Sequence, residues 1–210
     1  MKKTFYFSLL SGFLFLISCK NKTENTEGEV LNYDDLEIIE INQDIELEYD
    51  GDDAGYISMI EFFEDQWEYR KGQPYTILKI KNDIDSSYVG LEEKLWEEMT
   101  APFIKSDINA ASFKGKYTFE KIEDPNAPLL FYDYIAKESD LPVQKTTVSL
   151  DKFSNRIRSV YIEGNFKTSD GASMEQKLLY VTGELFQIFQ VTRKNGKEVN
   201  REKVNYLFKF

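Results

Sequence analysis

The chain carries no histidine and a single cysteine, Cys19, so the chemistry left to weigh is that of its carboxylates. Without imidazole there is no Ser-His-Asp or Cys-His relay and no histidine switch near neutral pH. Without a set of nitrogen and sulfur ligands there is no zinc site. Two carboxylates about 5–9 Å apart can hydrolyse a glycosidic bond, one as acid and the other as base or nucleophile. Asp133 and Glu163, both in strand-like segments, are the acids to weigh for that role, although spacing along the chain says nothing about their separation. Hard cations such as calcium need several oxygens wrapped around one point. Acid-rich stretches at 50–61 and 92–98 raise that possibility. A helix that turns Glu92, Glu93, Glu97 and Glu98 towards solvent accounts for the second stretch without a cation.

The first stretch, Asp50-Gly51-Asp52-Asp53-Ala54-Gly55-Tyr56-Ile57-Ser58-Met59-Ile60-Glu61, resembles an EF-hand calcium loop over twelve residues. The resemblance implies ligation by Asp50, Asp52, the Tyr56 carbonyl, Ser58 and Glu61 around a glycine at the sixth position. It departs at Ala54, which removes the fifth-position oxygen, and at Ile45, Leu47 and Tyr49, which alternate like a strand where a helix should enter. The competing reading is an acidic turn into a capped helix. Ser58 and Glu61 then form a capping box, and Ile57 and Phe62 form the hydrophobic staple across it. No metal ligand, catalytic residue or cofactor is assigned on this basis.

Cys19 belongs to a different pattern. Lys2 and Lys3 precede about thirteen mostly apolar residues, Phe5 to Ile17, and Leu16-Ile17-Ser18-Cys19 closes the run. At ~1.5 Å per residue the run covers ~20 Å of a ~30 Å hydrocarbon core, so it reads as a cleaved signal peptide and not as a membrane span. The closing four residues resemble the lipobox of bacterial lipoproteins. That resemblance implies cleavage before Cys19, attachment of a diacylglyceryl group to its thiol and of an acyl chain such as palmitate to its amine. Three chains exceed the two signals that stable anchoring requires. In some lipoproteins an aspartate after the cysteine retains the protein at the inner membrane; Lys20 stands there instead, which points to the outer membrane. In layout the chain resembles the small lipoproteins of bacterial envelopes.

These features divide the chain into a signal peptide (1–18), a lipidated flexible tether (19–32) and one globular domain (33–210). The start of the tether, Lys20 to Glu29, has no apolar side chain to offset the entropy of ordering it. Residues 1–18 hold two lysines and no acid, so cleavage takes the formal charge from −11 to −13. A chain this acidic, with no basic stripe, is no partner for nucleic acid and does not lie flat on anionic lipid. Its expected partners are the membrane, through the lipid anchor, and another envelope protein or a glycan.

The elements follow from periodicity. Leu36 to Tyr49 reads as one or two short strands. A helix starts at the Ser58 cap, places Ile60, Phe63 and Trp67 on one face, and stops at Lys71-Gly72 before Pro74. Tyr75 to Lys81 is a strand. Tyr88, Leu91, Leu95 and Met99 predict a second helix, capped by Ser86 or Ser87 and ended near Thr100 by Pro102. From Phe113 the period is two: strands at 113–122, 129–136, 143–150, 156–166, 174–182, 185–193 and 198–210. Asp170-Gly171 and Asn195-Gly196 are dipeptides that type I′ hairpin turns select. In the last strand Val204, Tyr206, Phe208 and Phe210 share the inward side. The expected fold is α+β and two-layered, with two N-terminal helices packed on one face of a C-terminal antiparallel β-meander. Tyr117, Tyr132, Tyr134, Tyr161, Tyr180 and Tyr206 recur through the strands, and tyrosines on an open face offer a flat apolar body and a polar tip to a sugar or a protein. The function expected by elimination is a non-catalytic binding or assembly module of the envelope, with calcium binding at 50–61 and carboxylate-dependent glycan hydrolysis as the alternatives.

Overall fold

The last strand of the chain is also the one that organises it. Strand β9 (Lys197–Lys209) pairs on one side with β8 (Leu185–Lys194), its sequence neighbour, and on the other with β1 (Thr76–Lys81), the first strand among the described residues. The computed structural model describes residues 56–123 and 125–209. It is α+β: two helices and a nine-stranded antiparallel sheet in the order β2-β1-β9-β8-β7-β6-β5-β4-β3. The other strands are β2 (Asp85–Gly90), β3 (Tyr117–Glu123), β4 (Leu129–Ala136), β5 (Val143–Asp151), β6 (Ile157–Lys167) and β7 (Ser173–Val181). From β3 to β9 each strand pairs with the next, as a meander should. The hairpin β1–β2 extends the meander at its far end. Residues 91–116, which include helix α2 (Glu93–Lys105), therefore carry the chain from one edge strand, β2, to the other, β3.

Helix α1 (Met59–Arg70) begins as its sequence predicts: Ser58 Oγ accepts the Glu61 N–H at 3.3 Å. Its buried face is turned from the expected one. Met59, Phe62, Phe63 and Arg70 are buried, whereas Ile60 is 45% exposed and Trp67 only partly covered. The reason is aromatic packing, because Phe63 sits within 6 Å, centroid to centroid, of Phe62, Phe103, Tyr180 and Phe186.

Helix α2 differs more. Tyr88 belongs to strand β2, so Ser86 and Ser87 cap nothing; the helix starts after Glu92, whose side chain makes no capping bond. Trp96, Met99, Thr100 and Phe103 form its buried stripe, at positions i, i+3, i+4 and i+7. Pro102 does not end the helix, which runs on to Lys105. The ring deprives the Glu98 carbonyl of its helical donor. Phe103, fully buried against Phe63 and Phe186, holds the helix together past that point. Trp96 Nε1–H donates to the Phe63 carbonyl at 3.2 Å and so joins the two helices.

Strand β3 starts at Tyr117 and not at Phe113, because residues 111–113 form a 3₁₀ turn and Gly115 takes φ +74°. Asn195 and Gly196 both take positive φ, 52° and 76°, as a type I′ turn demands. Asp170-Gly171 does not make such a turn: only Gly171 has positive φ, and the loop closes from the Thr168 N–H to the Ala172 carbonyl. In β9, Val204, Tyr206 and Phe208 are buried as expected, on the face met by the helices' aromatic side chains. Cys19, the tether, Leu36 to Tyr49 and residues 50–55 of the acidic loop lie outside the described residues, as does Phe210.

Candidate interaction face

Antiparallel register sets a row of side chains across all nine strands on the face opposite Tyr206, Phe186 and Tyr180. Starting at the β2 edge the partners are Tyr88, Leu78, Leu207, Leu185, Val181, Ser159, Ser149, Phe131 and Ile122. Successive residues of a strand point to opposite faces, so these nine share one side. Tyr88 is 69% and Ile122 46% exposed, and the leucines, the valine and Phe131 are half-buried, so the row is apolar and reachable by solvent. Ser149 and Ser159 interrupt it at the middle, their hydroxyls bonded to each other at 2.6 Å.

Alongside the row lies a polar group. Asp133 is 7% exposed; its Oδ1 accepts from the Thr147 hydroxyl at 2.6 Å and its Oδ2 pairs with Lys145 Nζ at 2.7 Å. Lys145 is the register partner of Glu163, which accepts a hydrogen bond from the Tyr161 hydroxyl and pairs with Lys177 at 3.3 Å. The Tyr161 bond, with Lys177 and Lys145 beside it, holds the Glu163 carboxyl below its ordinary range against the opposing effect of burial. Burial, and then the Glu163 charge, push the Tyr161 phenol up to about 12.

The structure thus brings Asp133 and Glu163 to one face, with Lys145 between them. Their strands lie two apart, roughly 10 Å across the sheet before a two-residue stagger is added. The Glu163 carboxyl is shifted downward by its neighbours, the opposite direction from the one a general acid requires, and Asp133 is already engaged by Thr147 and Lys145. The pair reads as a salt-bridged surface network. Thr147, Lys145 and Lys177 complete that network, and no local motif announces them. Only the register gathers them.

The remaining expected residues are more scattered. Tyr117, Tyr134, Tyr180 and Tyr206 are buried on the helix-facing side, with Tyr56 packed against Tyr117 and Tyr134; of the six strand tyrosines only Tyr161 stands on the open face. Of the five ligands expected from the acidic loop, Tyr56, Ser58 and Glu61 are described, and Asp50 and Asp52 lie outside the described residues. Ser58 Oγ serves as the cap of α1, and the Met59 N–H is taken by Asp107 Oδ2 at 2.9 Å. Among the glutamates of α2, Glu98 is not simply solvated: it pairs with Lys79 at 2.7 Å. Among the described residues no three ligating acids come together as a metal site, and no helix is long and apolar enough to cross a membrane. One recess, lined by Ile57, Met59, Asp107, Tyr134, Thr146 and Ile162 among others, is too tight for a water-sized molecule. No protein-family model, curated protein or solved structure matches the chain.

Proposed function

We propose that the chain is a lipid-anchored cell-envelope module that binds or assembles with another envelope component and catalyses nothing. It is held at the outer membrane through Cys19 after cleavage of residues 1–18. In this reading the domain has two layers. The helices cover one face of the sheet, and the open face is the working surface. The observation that carries it is the row from Tyr88 to Ile122: seven apolar side chains in line across the sheet and reachable by solvent, in two stretches parted by the Ser149–Ser159 pair. Single exposed apolar residues are ordinary on a protein surface, but an apolar strip such as Tyr88 to Val181, rimmed by polar groups, is the kind of surface that partners cover. The lysine–carboxylate network beside it supplies fixed charges to orient a protein or glycan partner.

Mass spectrometry of the mature N-terminus from the membrane fraction tests the anchor, with a triacylated Cys19 as the expected result. An unmodified Cys19, or release of the chain to the soluble fraction, removes that part of the proposal. The face is tested by placing photo-crosslinking residues at Leu207, Leu185 and Phe131 in cells. Expected is one recurrent adduct from all three positions, absent at exposed positions elsewhere such as Phe153. Glycan turnover abolished by Asp133→Asn or Glu163→Gln would replace the binding role with an enzymatic one.

A further inference from the structure

The geometry points to a second site, on the edge of the sheet and not on its face: strand β2 pairs with β2 of a second copy of this chain, antiparallel about a twofold axis at Ser87. Among the described residues β2 pairs with β1 alone. The Leu91 N–H donates to the Tyr75 carbonyl at 3.2 Å, which extends the β1–β2 ladder by one residue and fixes its phase. Odd-numbered residues of β2 therefore turn their backbone groups to β1, and Ser86, Tyr88 and Gly90 turn theirs to the side on which no described strand pairs. Residues 85–88 are all exposed.

Natural sheets protect such edges with lysine, proline, charge or a bulge. The other edge, β3, carries Glu120, Lys121 and Glu123. Strand β2, Asp-Ser-Ser-Tyr-Val-Gly, has one charge at its end, no lysine, no proline and no register shift against β1.

A second copy suits this edge because the edge is self-complementary. With the axis at Ser87, the outward groups of Ser86 meet those of Tyr88 from the other copy, and the bulky Tyr88 stands opposite a small serine. Asp85 falls opposite Val89, so in a chain of net charge −11 no acid faces its own image. The pairing keeps each strand's faces in phase and sets the open faces of the two sheets side by side, with Tyr88 beside Ser86 of the second copy and the two apolar rows staggered by two residues. Six residues a side cover less than the ~1,000 Å² of an ordinary stable interface, so the contact is a weak one that favours copies held at high local concentration.

Ser87→Cys in the full chain, oxidised mildly in cells, tests the pairing; Cys19 is the chain's only other cysteine, and the unsubstituted chain sets the background. In the proposed register Ser87 faces itself in a non-hydrogen-bonded pair with Cα atoms about 4.5 Å apart, within disulfide reach. Expected is a disulfide-linked homodimer at least about tenfold above that from Ser86→Cys, whose counterpart is Tyr88. Adding Tyr88→Pro should abolish it, because the Tyr88 N–H faces away from β1 and its loss costs β2 no internal bond. Tyr88→Lys should do the same with an unchanged melting temperature, and serves if the proline variant fails to fold. No homodimer from Ser87→Cys overturns the proposal. So does equal yield from Ser86→Cys, persistence of the dimer in the Tyr88→Lys background, or a crosslink to a different protein.

Discussion

Tyr206 of β9 donates its hydroxyl hydrogen to Glu98 of α2 at 2.8 Å, across 108 positions of sequence, and ties the last strand of the sheet to the helix that crosses between its edges. The same carboxylate oxygen pairs with Lys79 at 2.7 Å, and the Lys79 ammonium stands 5.1 Å from the centre of the Tyr206 ring. The Lys79 bond, opposed by partial burial and helped by Tyr206, lowers the Glu98 carboxyl below its ordinary value of 4.5. A carboxyl depressed in the folded state stabilises it above the unfolded value and loses that contribution as pH falls through the folded one. Glu98→Gln should therefore match the parent least near neutrality and converge on it as pH drops below about 4.5. The difference at pH 7 should be below about 1 kcal/mol, since half the side chain is in water. Urea midpoints of the two proteins between pH 3 and 7 measure this, and parallel curves over that range would refute it.

Phe63 is the residue on which both helices and the sheet converge. It is 1% exposed, with Trp96 and Phe103 on one side and Tyr180 and Phe186 on the other. Phe63→Ala leaves a cavity that rigid rings cannot close, so a loss of about 3–5 kcal/mol is expected. Ile60→Ala, one turn earlier and half exposed, should cost under about 1 kcal/mol. Chemical denaturation of both decides which face of α1 is the buried one. Equal losses would restore the face read from the sequence.

That contrast shows where the sequence was legible. Strand β4 occupies Leu129–Ala136 as read, and Asn195-Gly196 turns as read, because alternation and positive-φ chemistry are local. The alternation of β9 also placed Val204, Tyr206 and Phe208 inward. The misreading of α2's end came from distant contacts. Phe103 outweighs Pro102 only because Phe63 and Phe186 lie against it. Tyr88 is a different case: it fits a helical stripe by spacing, yet its segment pairs with β1 through a short hairpin in which Asn82 and Asp83 both take positive φ, a local turn signal that the spacing overrode. The open apolar row was illegible for the same reason as the end of α2. Alternation says which residues of one strand share a face, but nothing local says that β1 joins β9 and sets Leu78 beside Leu207.

Two separate acceptors satisfy the first N–H groups of α1. Asp107 Oδ2 takes the Met59 N–H at 2.9 Å and Oδ1 takes the Asn109 N–H at 2.8 Å, while Ser58 Oγ takes that of Glu61. Asp107 is the shorter bond, is charged and lies where a helix favours an anion. Asp107→Ala should cost about 1–2 kcal/mol and Ser58→Ala about 0.5–1 kcal/mol. Glu61→Gln should stay within about 0.5 kcal/mol, because Glu61 is exposed and glutamine serves at that capping position. Thermal melts in millimolar calcium and in magnesium extend the test to the acidic loop. A calcium-selective rise lost in Glu61→Gln would assign that carboxylate to an ion instead of the helix.

Arg70 is 3% exposed, and among the described residues no carboxylate lies within ion-pair distance of it. Its Nη1 donates to the Gln66 carbonyl at 3.1 Å and to Gln66 Oε1 at 2.6 Å, while its Nε is buried without a partner. The guanidinium carbon lies 5.7–5.9 Å from the ring centres of Tyr69, Trp96 and Phe208, and the last turn of α1 presents its carbonyl end to the charge. These attractions are worth about 1–2 kcal/mol per well-placed ring at most. Desolvating a charge costs several kcal/mol, and an orphaned donor adds to it. Arg70→Met keeps the length of the stem and removes both costs. Gln66 Oε1 is not stranded by the change, since the Tyr180 hydroxyl still donates to it at 3.1 Å. The methionine variant should therefore equal the parent or exceed it by about 1–2 kcal/mol, whereas Arg70→Ala should lose about 2–4 kcal/mol through the cavity alone. Urea unfolding of both separates packing from charge: if methionine falls as far as alanine, the cation and its three rings hold this corner, and the buried charge is a net stabiliser.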